Sequence, residues 1–587
     1  MKRLLSIFIV LSSLLSADKA MADGNPREVK LTVIETTDVH GNFFPYNFIT
    51  RTDWPGSLAR VATYVDALRA DRGDEAVILL DNGDILQGQP TVYYYNFIDT
   101  ASTHIVNDIM RFMRYDAATL GNHDIETGHA VYDRFVAGSS APVLGANITD
   151  TATGRPYVKP YTIIERDGVR IAVLGMITEA IPAWLPENLW SGLHFDNMVE
   201  TAGKWVAEIQ EHEHPDAIIG LFHSGGNSDT RTAGFMENAS VEVARRVPGF
   251  DAVLMGHDHR VWNLREANAA GDTVIVLNPA NNAVNVGRID FTFTVGSDGK
   301  VTGKQVDGSI VDVSSLAPSA AYMERFAPQL AAVESFVSRP IGRATGEFQS
   351  RDAFFGPSAF MDLIHRLQLE IARADVSMAA PLSFDAAIDT GIVTMSDMFS
   401  LYKYENMLYT MALTGREIKN YLEESYDLWT NQVAGPGEHV IRFGSTNPAP
   451  GDNRLKYPSY NFDSAAGIDY TVDVTKPKGE KITITGMTDG RPFDPDATYR
   501  VAINSYRGNG GGDLLTKGAG IPHDELTGRI IESTDKDLRY YLMKAIEEKG
   551  TIEPTVTRNW RFIPEEIAAP ALRRDSVILF TGPSIQK

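Results

Sequence analysis

Five short stretches of the chain concentrate Asp, Asn and His beside glycine: Thr37-Asp38-Val39-His40-Gly41-Asn42, Asp81-Asn82-Gly83-Asp84, Gly121-Asn122-His123-Asp124, Phe222-His223-Ser224-Gly225 and Gly256-His257-Asp258-His259. Glycine lets the backbone turn sharply and so aim such side chains into a common space. The chain has no cysteine, so a metal ion here is held by oxygen and nitrogen alone, a donor set that suits zinc, manganese or iron. Two divalent ions roughly 3.5–4 Å apart, joined by a shared carboxylate, stabilise both the attacking and the leaving oxygen in phosphate-ester hydrolysis. Asp84, on a Gly-Asp turn between the other clusters, is the candidate for that shared carboxylate. A lone Asp-x-His or His-x-His is weak evidence. His104, His129, His194, His212 and His214 lie in no such pattern and read as packing or surface residues.

The weight comes from the elements that must carry the stretches. Apolar runs rich in Val, Ile and Leu at 30–35, 76–80, 170–175, 216–221, 251–255 and 273–277 read as strands buried on both faces. Residues 56–69 and 197–211 between them read as amphipathic helices. Together with the segment 115–120, these runs deliver all five stretches at strand ends, where ligands gather in α/β folds. An α/β layered sandwich is the expected architecture.

At 587 residues the chain exceeds what one core usually organises, so at least two domains are expected. Lys2 and Arg3, an apolar run from Leu4 to Leu15, and Ala20-Met21-Ala22 describe a secretory signal over residues 1–22. A periplasmic or secreted location follows from it. A net charge of −22 argues against binding polymeric nucleic acid. Metal ions can still reverse the sign locally for a small phosphate ester. No segment is long and apolar enough to predict a membrane span.

The five stretches, in this order, resemble the signature of the calcineurin-like metallophosphoesterases. The resemblance implies a four-layer α/β/β/α sandwich over residues 23–314 holding two divalent ions. It assigns Asp38, His40, Asp84 and His259 to one metal, and Asp84, Asn122, His223 and His257 to the other. His123 becomes the acid that stabilises charge on the phosphoryl or leaving-group oxygen. Glu126 stands where relatives often carry an aspartate that orients this histidine, and is one methylene longer; Asp124 reads as structural.

Residues 315–340 read as a helical interdomain linker, 341–564 as a second, α+β domain, and 565–587 as an extension. The second unit resembles the C-terminal domain of the 5′-nucleotidases. That likeness implies a base clamp formed by Phe462 and Tyr506, with Arg507 helping to bind substrate and Asp513 meeting ribose hydroxyls. Met378-Ala379-Ala380-Pro381 replaces the Asn-Gly-Gly-Gly-Ile/Leu-Arg segment of 5′-nucleotidases, and Tyr506-Arg507 precedes the glycine run. Both features are similar to the 2′,3′-cyclic-nucleotide 2′-phosphodiesterase/3′-nucleotidase branch. A small nucleotide is thus the expected substrate, with a 5′-nucleotidase, a nucleotide-sugar hydrolase, a thiosulfate-processing enzyme or a non-catalytic nucleotide-binding protein as alternatives.

Overall fold

A computed structural model describes residues 26–449 and 454–580. The expected signal segment lies outside these residues.

Two six-stranded sheets form the N-terminal half. The strands Arg27–Thr36, Val77–Asp81, Ala117–Thr119 and Val143–Leu144 run parallel in the first. Val169–Ile177, Ala217–His223, Ala252–Met255 and Thr273–Pro279 run parallel in the second. Side-chain alternation explains how the sheets stack. Leu31 and Val33 face Val173, Leu221 and Leu254 across the inter-sheet core. Ile34 points the other way, onto Val61, Val65 and Ile109 of the helices Leu58–Arg72 and Ile105–Met113. Ala172, Ile218 and Val253 cover the outer face of the second sheet with the helix Met198–His212. Helix, sheet, sheet and helix give the four layers that were expected. Asn82 pins the two sheets together where the site begins: its amide donates to the carbonyls of Phe222 and Leu254, both at 3.2 Å.

The C-terminal half builds on a five-stranded sheet, Ser464–Ala466, Val376–Ala379, Thr498–Asn504, Met407–Thr414 and Ile530–Asp537. Residues 320–337 form two short helices whose Tyr322, Phe326, Val333 and Val337 are buried in the N-terminal core. The stretch read as a linker is thus packed against the first domain. Residues 565–580 form a helix whose Ala571, Leu572 and Ile578 are buried in the C-terminal core. Its fully buried Asp575 accepts hydrogen bonds from His439 Nδ1 at 2.6 Å and from the amide of Ile441 at 2.9 Å. No helix among the described residues is long and apolar enough to cross a membrane.

Candidate active site

The five stretches meet at the carboxyl ends of the central strands. Asp38, His40, Asp84, His257 and His259 all adopt positive φ, between 48° and 75°. Such backbone costs about 1–3 kcal/mol per non-glycine residue and persists where surrounding structure enforces it. Enforcement comes largely from Asp124. Its carboxylate accepts from the amides of Gly121, Asp84, Ile85 and Leu86 at 2.7–3.0 Å, tying two of the loops together. Gly121 is required there, because a Cβ would lie 2.1 Å from Asp84 Oδ1.

One ligand atom each from Asp38, His40, Asp84 and His259 falls within 4.8 Å of the others. His259 Nε2 lies 3.1 Å from both Asp38 Oδ1 and His40 Nε2. Beside them, His223 Nε2 lies 3.1 Å from Asp84 Oδ2 and 3.2 Å from Asn122 Oδ1, and His257 Nδ1 lies 2.7 Å from the same Asn122 oxygen. The residues of both expected sets thus lie together around Asp84.

Outer hydrogen bonds orient the imidazoles. His223 Nδ1 donates to the Asn82 carbonyl, His40 Nδ1 to that of Gln87 and His257 Nε2 to Glu237, leaving the inner nitrogens as acceptors. The buried Asp84 Oδ2 has no hydrogen-bond partner among the described residues, and the inner nitrogens of His40 and His259 face one another. A cation satisfies both features, so the residues fit divalent metals. Burial would raise the Asp38 carboxyl, but positive charge on His223 and His259 outweighs it when these are protonated and holds it at about 2.

His123 Nδ1 lies 2.5 Å from Glu126 Oε2, three residues along the short helix Asn122–Glu126. The longer glutamate side chain therefore reaches its histidine. Burial would lower His123, but Asp84 and Glu126 raise it to about 10.

A cleft of about 950 Å³ connects His123 to the C-terminal domain, lined there by Tyr460, Tyr506 and Asp513. Two expected substrate contacts are corrected. Phe462 is completely buried, its ring parallel to Trp429 at 5.5 Å, and Tyr460 faces the cleft in its place. Arg507 is buried beneath the glycine run, paired with Asp463 at 3.0 Å and donating to the carbonyls of Tyr460 and Gly511. A Cβ on Gly512 would lie 2.1 Å from the Arg507 guanidinium, so this glycine makes room for the arginine. Tyr460 and Tyr506 stand edge to face, 6.3 Å apart. Asp513 lines the cleft while its carboxylate lies 2.5 Å from Lys517. Sequence reasoning missed Trp184, which stacks on His257 at 5.5 Å, and Glu237, because neither stands in one of the five stretches.

Comparison with known proteins agrees with this architecture. Residues 31–261 match the calcineurin-like phosphoesterase family model, and residues 340–517 match the model of the 5′-nucleotidase C-terminal domain. The chain belongs to the 5′-nucleotidase family. Family membership makes it a metal-dependent phosphoester hydrolase. It is 27% identical to the 2′,3′-cyclic-nucleotide 2′-phosphodiesterase/3′-nucleotidase of Yersinia enterocolitica, over 91% of this chain and 88% of that one. It is also 27% identical to the trifunctional nucleotide phosphoesterase protein YfkN of Bacillus subtilis, over 92% of this chain but only 39% of that longer protein. The family fold recurs in the 5′-nucleotidase precursor of Thermus thermophilus, with a TM-score of 0.61, 20% identity, and coverage of 91% of this chain and 100% of that one.

Proposed function

We propose that the protein is a periplasmic or secreted enzyme that hydrolyses 2′,3′-cyclic nucleotides and 3′-nucleotides with two divalent ions, zinc or manganese. The observation that carries this reading is the single cleft with His123 and Asn122 on one wall and Tyr460 and Tyr506 on the other. Phosphate and base then sit in different domains, and the ribose bridges them. Preference for the cyclic and 3′ esters rests on the Ala379-Ala380-Pro381 segment and on the names of the relatives above.

Asp38, His40, Asp84 and His259 would hold one ion, and Asp84, Asn122, His223 and His257 the other. Ions so held supply positive charge to the phosphoryl oxygens and acidify water at neutral pH. The protein's own groups do the rest. Glu126 accepts a hydrogen bond from the Nδ1–H of His123 and leaves its Nε2 proton for the phosphoryl or leaving oxygen. Tyr460 and Tyr506 touch edge to face, so a base enters between them once one ring swings aside.

Phosphate release from 3′-AMP and 5′-AMP, and conversion of 2′,3′-cyclic AMP to monoester, test the reading with Mn²⁺ or Zn²⁺ and with chelator. Metal-dependent turnover of 2′,3′-cyclic AMP and 3′-AMP ahead of 5′-AMP is expected. A preference for 5′-AMP would move the protein to the 5′-nucleotidases and leave the metal centre as described.

A further inference from the structure

Besides Asp513, which pairs with Lys517, the C-terminal domain contributes a second carboxyl group to the cleft for which the proposed chemistry has no use. Glu405 lines the same cleft as His123 and Glu126, yet is only 5% exposed. Its Oε1 faces Arg539 Nη1 at 3.5 Å. Arg539 is itself fully buried and fixed by the carbonyls of Tyr402 and Lys403 at 2.9 and 2.6 Å. The phenyl ring of Phe399 lies 4.1 Å from its guanidinium carbon. Glu405 is therefore held from behind by a rigid cation. Its second oxygen, Oε2, is shut off from solvent and bonds to no described residue. Leaving a buried carboxyl oxygen unpaired is costly, and such an atom calls for a partner that arrives later.

The surroundings restrict that partner. Glu405 and its neighbour Asn406 line the cleft together with His123 at one end and Tyr506 at the other. These two residues thus flank the path from the phosphate end of the cleft to the base end. A phosphate oxygen only accepts hydrogen bonds and carries negative charge, so it pairs with this carboxyl only while the carboxyl is protonated. A sugar hydroxyl both donates and accepts, and pairs with this carboxyl whether or not it is protonated. Burial, with the charges of Glu126 and Asp537, outweighs the opposing charge of Arg539 and holds the Glu405 carboxyl up at about 8.

We infer that Glu405 is a specificity-determining residue that binds a free ribose hydroxyl of the nucleotide, the 2′ or the 5′, and so discriminates against substrates that lack it. This rests on the nucleotide reading above.

The test compares kcat/KM for 3′-AMP with its 2′-deoxy and 5′-deoxy analogues, in the wild-type protein and in Glu405→Ala. Ratios are taken within each protein, so a general loss of metal or of folded protein cancels. Removing the hydroxyl that Glu405 receives should cost the wild type about ten-fold. In Glu405→Ala the same ratio should fall to within about two-fold of one, the coupling expected of two groups in contact. Glu405→Leu, which keeps volume without a polar atom, replaces the alanine variant if that one does not fold. Ratios unchanged by substitution for both analogues would overturn the assignment, as would a wild type indifferent to both hydroxyls. Wild-type protein that cleaves p-nitrophenyl phosphate and no nucleotide would overturn the nucleotide reading together with it. Turnover of 3′-AMP with unchanged ratios removes only the role of Glu405.

Discussion

His123 combines three properties wanted in an acid next to a phosphoryl group: a partner on Nδ1, a free Nε2, and an affinity for its proton raised by Asp84 and Glu126 to about 10. Divalent ions at Asp84 would counter that carboxylate, leaving Glu126 a larger share of the effect. Because His123 acts while protonated, its titration sets an alkaline limb in kcat/KM, with activity lost as pH rises through that pKa. Glu126→Gln should move the limb to lower pH, and His123→Ala should lower kcat by about 10²-fold or more with metal content intact. A limb that stays in place, or undiminished turnover in the alanine variant, would count against the dyad. The aromatic residues divide differently from the sequence expectation. Tyr460 and Phe462 stand two positions apart, and sequence does not tell which ring turns outward at the short helical turn Ser459–Asn461. Trp429, far away in sequence, decides it by stacking on Phe462. Tyr460→Ala should therefore raise KM for nucleotides. Phe462→Ala should instead destabilise the fold by about 3–5 kcal/mol in denaturant titrations, the cost of an aromatic cavity in a core. A reversed pattern would restore Phe462 as the base contact.

Among elements, strands and the loops that end them were legible because fully buried parallel strands write continuous apolar runs, and because ligand residues cannot be replaced by others of like shape. The strand predicted at 251–255 appears as Ala252–Met255, and beyond its end His257 meets Asn122 and His259 meets Asp38. Less legible were elements whose role depends on distant partners. The helix 565–580 follows a strand end and carries Pro570, which reads as an ending; its burial depends on Phe354, Phe384 and other residues far earlier in the chain. Glu237 and Trp184 were hidden for the same reason, each acting on His257 from a loop without a local signal. The short helix Asn122–Glu126 shows how an element positions the site, since Asp124 at its third position receives four backbone amides. Each buried amide left without a partner costs about 1–3 kcal/mol. Asp124→Ala is thus expected to remove about 3 kcal/mol or more of stability and to lower bound metal per chain, although Asp124 is no ligand. Measured metal stoichiometry and unfolding midpoint decide this, and full metal content at unchanged stability would contradict it.

At the scale of the whole molecule, the arrangement of the two domains determines whether phosphate and base can be held at once. Among the described residues a small set of polar contacts fixes that arrangement, the hydrogen bond from Tyr93 to Asp537 at 3.3 Å among them. Arg51 of the first domain reaches Asp397 at 2.6 Å and Thr394 at 2.8 Å in the second, the Ser396 hydroxyl donates to the Phe48 carbonyl at 2.6 Å, and Asn509 donates to the carbonyl of Trp184 at 3.2 Å. The Arg51 side chain is 48% exposed, which discounts its pair with Asp397 to about 1 kcal/mol. Its further bonds to Thr394 and Ser396 add to the cost of losing it. Arg51→Ala should therefore leave each domain folded while freeing their relative position. A nucleotide, which must touch both walls of the cleft, should lose kcat/KM several-fold, or up to about ten-fold for 1.4 kcal/mol. p-Nitrophenyl phosphate has no base or ribose to span the cleft and needs only the metal-side wall, so its turnover should stay within about two-fold. Equal losses on the two substrates would mean that Arg51 supports the metal side itself. No loss on either would mean that the apolar packing of Tyr93 against Phe336 and Phe399 sets the domain arrangement without the ion pair.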